Sequence, residues 1–160
     1  MTKTGIGITL LSGMFWATAC SKEPQWADPE LHAKKEEVQA KYNKLLVGDW
    51  HRIVRTDTRL FYSHYRLNED GSMSSEEKFV KRDTVLISGE PTLTDWTTAW
   101  QDKRTGRWRI SVARTEDFKG FYTYLALNSE IFLFYDIAGD TLKVSGYPGY
   151  LLRGDVKPDF

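Results

Sequence analysis

A mainly β fold, an up-and-down antiparallel barrel of about eight strands preceded by one amphipathic helix, is what this sequence predicts, and three observations predict it. From Gly48 onward the chain breaks into short alternating runs separated by turn residues, the pattern of half-buried strands. Before Gly48 the period is helical instead. Aromatic residues make up 14% of the chain, with many threonines and tyrosines, a composition that favours pleated, half-buried surfaces. A meander of sequential hairpins leaves two unpaired edges when open, and closing it removes them.

Asp28 followed by Pro29 marks a helix start, because the aspartate side chain accepts from free N–H groups of the first turn and proline suits the first helical position. Leu31, Val38, Tyr42 and Leu45 fall on one side, and Lys34, Lys35, Glu36, Glu37, Lys41 and Lys44 supply a charged surround. The helix is expected over 29–46, either as a cover packed on the domain or as a lever that binds a partner or a membrane surface. Strand runs follow at 50–55, 60–67, 72–82 and 84–88, with Asn68-Glu69-Asp70-Gly71 as a hairpin turn and Gly89-Glu90-Pro91 closing the fourth run. Runs at 95–101 and 107–114 flank an expected turn at 102–106, Asp-Lys-Arg-Thr-Gly. The last runs are 121–127, 131–137 and 141–145, and Tyr150 to Arg153 continues past a bend at Pro148-Gly149. Trp108, Ile110 and Val112 share one face of their strand, opposite Arg107, Arg109 and Ser111.

Leu46-Val47-Gly48-Asp49-Trp50 resembles the Gly-x-Trp opening of lipocalin-like barrels. It is followed in order by Asp70-Gly71, Gly106-Arg107-Trp108 and a closing Tyr150-Leu151-Leu152-Arg153. The resemblance covers roughly residues 46–153. It implies a structural role for Trp50, plugging the base of the barrel, and for Arg153, packing over the ring as a cation on a π-face. The chain departs from the family in its long helix before the barrel and in lacking cysteines that would tie down the C-terminal end.

The first sixteen residues carry Lys3 as their sole charge, and Gly5 to Trp16 carry none. With the small residues before Cys20 this is the layout of an export leader. The apolar run is about a dozen residues, short of the ~20 that span a membrane. Cys20 is the one cysteine of the chain, which excludes an intrachain disulfide and any C-x-x-C chemistry. Ala17-Thr18-Ala19-Cys20-Ser21 resembles a bacterial lipoprotein signal, which implies cleavage after Ala19, lipidation of Cys20 and, from Ser21, transfer to the outer membrane. The alternative is an ordinary secretory signal cleaved at Ala19, leaving Cys20 a free thiol. The expected organisation is a leader at 1–19, a lipidated tether at 20–28, the helix at 29–46 and a lipocalin-like barrel domain at 47–160. The expected place is the outer membrane, on its periplasmic face.

Removing 19 residues from 160 leaves 141, enough for one domain. Losing Lys3 from 22 basic residues leaves 21 against 22 acidic ones, no footprint for nucleic acid. His32, His51 and His64 stand 19 and 13 residues apart, without metal-ligand spacing. Glu76 and Glu77, adjacent on a strand, point to opposite faces and do not form a working carboxylate pair. No nucleophile elbow or phosphate-cradling glycine loop occurs, so no catalytic residue, metal or cofactor is expected. The aromatics point instead to binding. Trp96, Trp100, Trp108, Tyr124 and Phe134 are candidate wall residues for a small hydrophobic or amphiphilic ligand held in the barrel. The alternative is a filled barrel that works as a scaffold, meeting an envelope protein partner through a surface around Tyr147, Tyr150 and the helix. Ile131, Leu133 and Tyr135 oppose Phe132 and Phe134, so both faces of that strand are apolar; if one lines the interior the other needs a cover, for which the 29–46 helix is the candidate.

Overall fold

In the computed structural model, residues 28–117, 119–146 and 149–159 are described. The leader, Ala19, Cys20, most of the tether and Tyr147 lie outside them. Helix α1 spans Pro29–Leu46, with Asp28 extended as its N-cap and accepting from the Leu31 N–H at 3.0 Å. Arg114 pairs with the same carboxylate, its Nη2 3.0 Å or less from both Asp28 Oδ1 (2.9 Å) and Glu30 Oε2 (2.8 Å). The guanidinium and the Leu31 amide together hold the Asp28 carboxyl down at about 2. Val38 and Leu46 are buried, and Leu31 and Tyr42 pack beside them. Leu45, expected on that face, is exposed; Leu46, four residues after Tyr42, takes the inward position.

Ten strands follow: β1 (Gly48–Arg55), β2 (Arg59–Leu67), β3 (Ser72–Lys81), β4 (Thr84–Ile87), β5 (Glu90–Leu93), β6 (Thr97–Arg114), β7 (Phe121–Leu127), β8 (Glu130–Ala138), β9 (Thr141–Val144) and β10 (Tyr150–Arg153). Eight of them close an antiparallel barrel in which each strand neighbours the next along the chain, and β10 returns to β1 through Trp50↔Arg153 and His51↔Leu152. Its buried cluster joins Trp50, Tyr65, Leu67, Met73, Trp108, Ile110, Val112, Leu125, Phe134, Leu142, Val144 and Leu151 with Val38 and Leu46 of the helix. The helix lies on the buried face of β6 and β8: Gln39 Nε2 donates to the Ile110 carbonyl at 3.3 Å, and the Tyr42 ring meets Phe134 edge-on at 4.7 Å. The helix is therefore not the cover expected for the outward face of β8, which is left exposed at Ile131, Leu133 and Tyr135, because the apolar side of α1 packs on the Phe134 side instead.

The expected turn at 102–106 is not a turn. Residues 97–114 form one strand of 18 residues that pairs with β3 through Arg107 and with β7 from Trp108 onward. Gly106 sits at this change of partner. A Cβ there would lie 1.5 Å from Asn128 Oδ1, the atom that accepts from the Arg107 N–H at 3.1 Å. The glycine therefore makes room for the side chain that satisfies the strand where one neighbour leaves and the next begins. The run after Thr84 also gains a partner that the sequence reading missed. β4 and β5 form a separate hairpin through Ser88-Gly89, with φ of 53° and 86°, the two positive values a type I′ turn demands. Pro91 is tolerated because β5 has a single neighbouring strand.

Candidate functional site

The base of the barrel is held by one side chain from each end of the domain. Trp50 is fully buried and donates its Nε1–H to the Leu46 carbonyl at 2.7 Å, and the Arg153 guanidinium lies 4.3 Å from its ring centroid. Arg153 also donates to the Val47 carbonyl at 3.1 Å and the Leu45 carbonyl at 2.6 Å, so it satisfies acceptors at the C-terminus of α1 that the helix itself cannot. Gly48 has φ of 130°, and a Cβ on it would stand 3.0 Å from Arg153 Nη1. The glycine two residues before Trp50 is required by its positive φ, which an L side chain rarely adopts.

Beside this base, the C-terminal half of α1, the β2–β3 turn and the middle of β6 border an open cleft of about 660 Å³. Val47, Trp108 and Ile110 form its apolar floor, while Gln39, Asn43, Lys44, Glu69, Asp70 and Arg109 line its polar part. That volume lies within the range of roughly 300–1,000 Å³ usual for small-molecule sites. Trp108 is fixed rather than free to rotate: its Nε1–H donates to the Asn68 carbonyl at 2.8 Å, and its backbone N–H to the Gly71 carbonyl at 2.9 Å. The turn is stiffened in the same way, since Asp70 Oδ1 accepts from the Ser72 N–H at 2.8 Å, and the bonds from Ser72 lower the Asp70 pKa. Lys44, Arg109, Glu69 and Asp70 give the cleft lining both signs of charge, a mixture suited to an ionic or zwitterionic head.

The five aromatic candidates do not surround one space. Trp108 and Phe134 belong to the buried cluster. Trp100 is exposed at the far end of β6, edge-on to Phe61 at 6.2 Å. Trp96 packs against the smaller cluster of Leu60, Tyr62 and Val80, with Arg82 at 4.4 Å and Arg55 at 5.6 Å from its ring. Tyr124 stands on the outward face of β7, tilted against Tyr122 at 6.3 Å. Only Trp108 borders the cleft. Sequence reading missed Gln39, Asn43 and Lys44 because no periodicity distinguishes them from the helix's other polar positions; they meet β6 only once the barrel closes.

A second cleft of about 470 Å³ runs over the outside of β2, β3 and β6, lined by His64, Ser74, Glu76, Lys103 and the C-terminal residues Asp155 and Lys157, among others. Glu76 and Glu77 go to different partners: Gln101 Nε2 donates to Glu76 at 2.7 Å, whereas the Tyr65 hydroxyl donates to Glu77 at 3.1 Å. Burial, and then the charge of Glu77, raise the Glu130 pKa, with Arg104 Nη1 3.9 Å away. Each histidine is engaged separately, His32 beside Glu36, His51 with the Gly154 carbonyl and His64 with Asp49. Among the described residues no group of three or more His, Cys, Asp or Glu is placed to hold a metal ion, and no helix is long and apolar enough to cross a membrane. Compared with family models, curated proteins and solved structures, the chain finds no match in any of the three.

Proposed function

We propose that this chain is a lipid-anchored binding protein of the cell envelope, held at the periplasmic face of the outer membrane through Cys20, and that it takes a small amphiphilic ligand in the cleft between α1 and β6. The cleft carries this reading, because it combines ligand-sized space, a fixed indole on its floor and a mixed-charge rim. The inward residues Trp50, Tyr65, Trp108, Ile110 and Leu125 pack in one cluster with Val38 and Leu46 of the helix, and the cleft lies beside that cluster. Gly48-Asp49-Trp50 with Arg153 over the ring supports a lipocalin-like barrel. Titrating the mature protein with a lysophospholipid or a fatty acid is expected to give a saturable change in tryptophan emission and a 1:1 complex by native mass spectrometry. Trp108→Phe should abolish the optical change while leaving the fold intact, at a cost of about 1 kcal/mol for the lost hydrogen bond. An identical change in that variant, or no saturation in wild type, counts against the cleft as the site.

One observation favours a scaffolding role as the second reading. All eight strand residues of the β4–β5 hairpin are exposed, Leu86 by 74% and Ile87 by 56%, although an isolated hairpin is marginal in water. Photo-crosslinking from position 86 in intact cells is expected to capture a protein if the hairpin is a contact arm. A pattern unaltered by Ile87→Glu would remove the hairpin from consideration.

A further inference from the structure

The uncovered side of the barrel presents Tyr122, Tyr124, Ile131, Leu133 and Tyr135 together on β7 and β8, with Ile131 exposed by 68% and Tyr135 by 61%. Cross-strand pairing makes the patch continuous: Tyr124 faces Leu133, and Ala126 faces Ile131. Two cations border it. Arg109 pairs with Ala126 on the same outward face, and Lys143 pairs with Tyr150, itself exposed, farther round the wall. Asp136, across from Lys143, is the acid at the margin and accepts from the Tyr42 hydroxyl at 3.5 Å. Such a patch is atypical of a surface that meets only water. Tyrosine rings over aliphatic side chains with a cationic border match the level of lipid headgroups, where an apolar ring body and a polar hydroxyl are both accommodated.

The tether decides which surface this face meets. We infer that the outward face of β7 and β8 rests on the phospholipid bilayer that carries the anchor, an inference that depends on the lipid-anchored reading above. Eight residue steps separate Cys20 from Asp28, a reach of at most about 28 Å. Asp28 is pinned by Arg114 at the end of β6, and Arg114 pairs with Phe121, the neighbour of Tyr122. The anchor therefore enters the domain at the edge of the patch. A second exposed apolar element among the described residues, the β4–β5 hairpin, leaves the opposite end of β6, about 56 Å away along the strand.

The mature protein, purified from membranes and weighed intact to establish whether Cys20 is acylated, is reconstituted in vesicles of phosphatidylethanolamine and phosphatidylglycerol. Where the thiol proves free, the same chain is coupled through it to a maleimide lipid, so the face is tested whichever way the anchor reading falls. Hydroxyl-radical footprinting is expected to show Tyr122, Ile131 and Tyr135 protected about threefold or more on vesicles, and Leu86 and Ile87 unchanged. The double variant Ile131→Glu, Leu133→Glu, with an unaltered circular dichroism spectrum, should lose that protection. Protection of Leu86 and Ile87 instead, or protection of the patch that rises with protein concentration in the absence of vesicles, overturns the inference. The latter result would assign the face to a second copy of the chain.

Discussion

Trp50→Ala is expected to destabilise the domain by about 3–5 kcal/mol, the range for removing a fully buried large aromatic. That is a large share of the roughly 5–15 kcal/mol by which a domain of this size is stable. The loss has several physical sources. The indole fills the base of the barrel against Leu46, Tyr65 and Leu151, and its N–H satisfies the Leu46 carbonyl at the end of α1. Arg153 keeps its own bonds to Leu45 and Val47 but loses the ring beneath it. Trp50→Phe separates these contributions, because it retains most of the packing and removes the hydrogen bond, at a cost of about 1–2 kcal/mol. Urea denaturation followed by circular dichroism measures both. A midpoint for Trp50→Ala within error of wild type would show that the helix and barrel do not depend on this junction.

That junction was expected through the resemblance to lipocalin-like barrels and not from the residues alone, since a glycine two residues before a tryptophan is a common pattern that gains weight only from its order with the later motifs. The Arg153 guanidinium does lie over the Trp50 ring. The helix was legible from its own residues, since Asp28 and Pro29 are a local cap and Asp28 accepts from Leu31 without help from the rest of the fold. The long strand β6 was not legible. Asp102 to Gly106 has turn composition, yet these residues are polar because that stretch of β6 has β3 on one side and no strand on the other. Gly106 is there for the Asn128 side chain, a contact 22 residues away that no local pattern encodes. The cleft was illegible for the same reason. It is made where a helix, a turn and the middle of a strand come together, and only Trp108 carried a signal of its own. The apolar character of both faces of β8 could be read directly, but not which face the helix would cover. Tyr42 against Phe134 settles that it is the side of Phe132 and Phe134.

Cys20→Ala tests the proposed address and has the largest expected effect on where the protein is found. In wild type the N-terminal peptide is expected to carry the added mass of acyl chains on Cys20, and the protein to stay with the outer-membrane fraction through high-salt washing. Each buried methylene contributes about 0.8 kcal/mol, but a single chain of ordinary length holds a protein only reversibly, whereas two or more hold it almost permanently. Removing every chain at once therefore changes membrane retention by orders of magnitude rather than by degrees. The patch on β7 and β8 is too small to replace that anchor. With at most a few large side chains inserted, its attachment is weak and is lost on dilution, so the variant should leave the outer-membrane fraction even if the face still touches lipid transiently. The two contributions are separable by design: Ile131→Glu, Leu133→Glu should keep the acylated protein in the membrane and change only its orientation there. A wild-type N-terminal peptide bearing an unmodified thiol would remove the anchor, and with it the tether argument that selects the bilayer for the patch. The α1–β6 cleft would remain, because its ligand-sized space depends on the barrel and the helix alone.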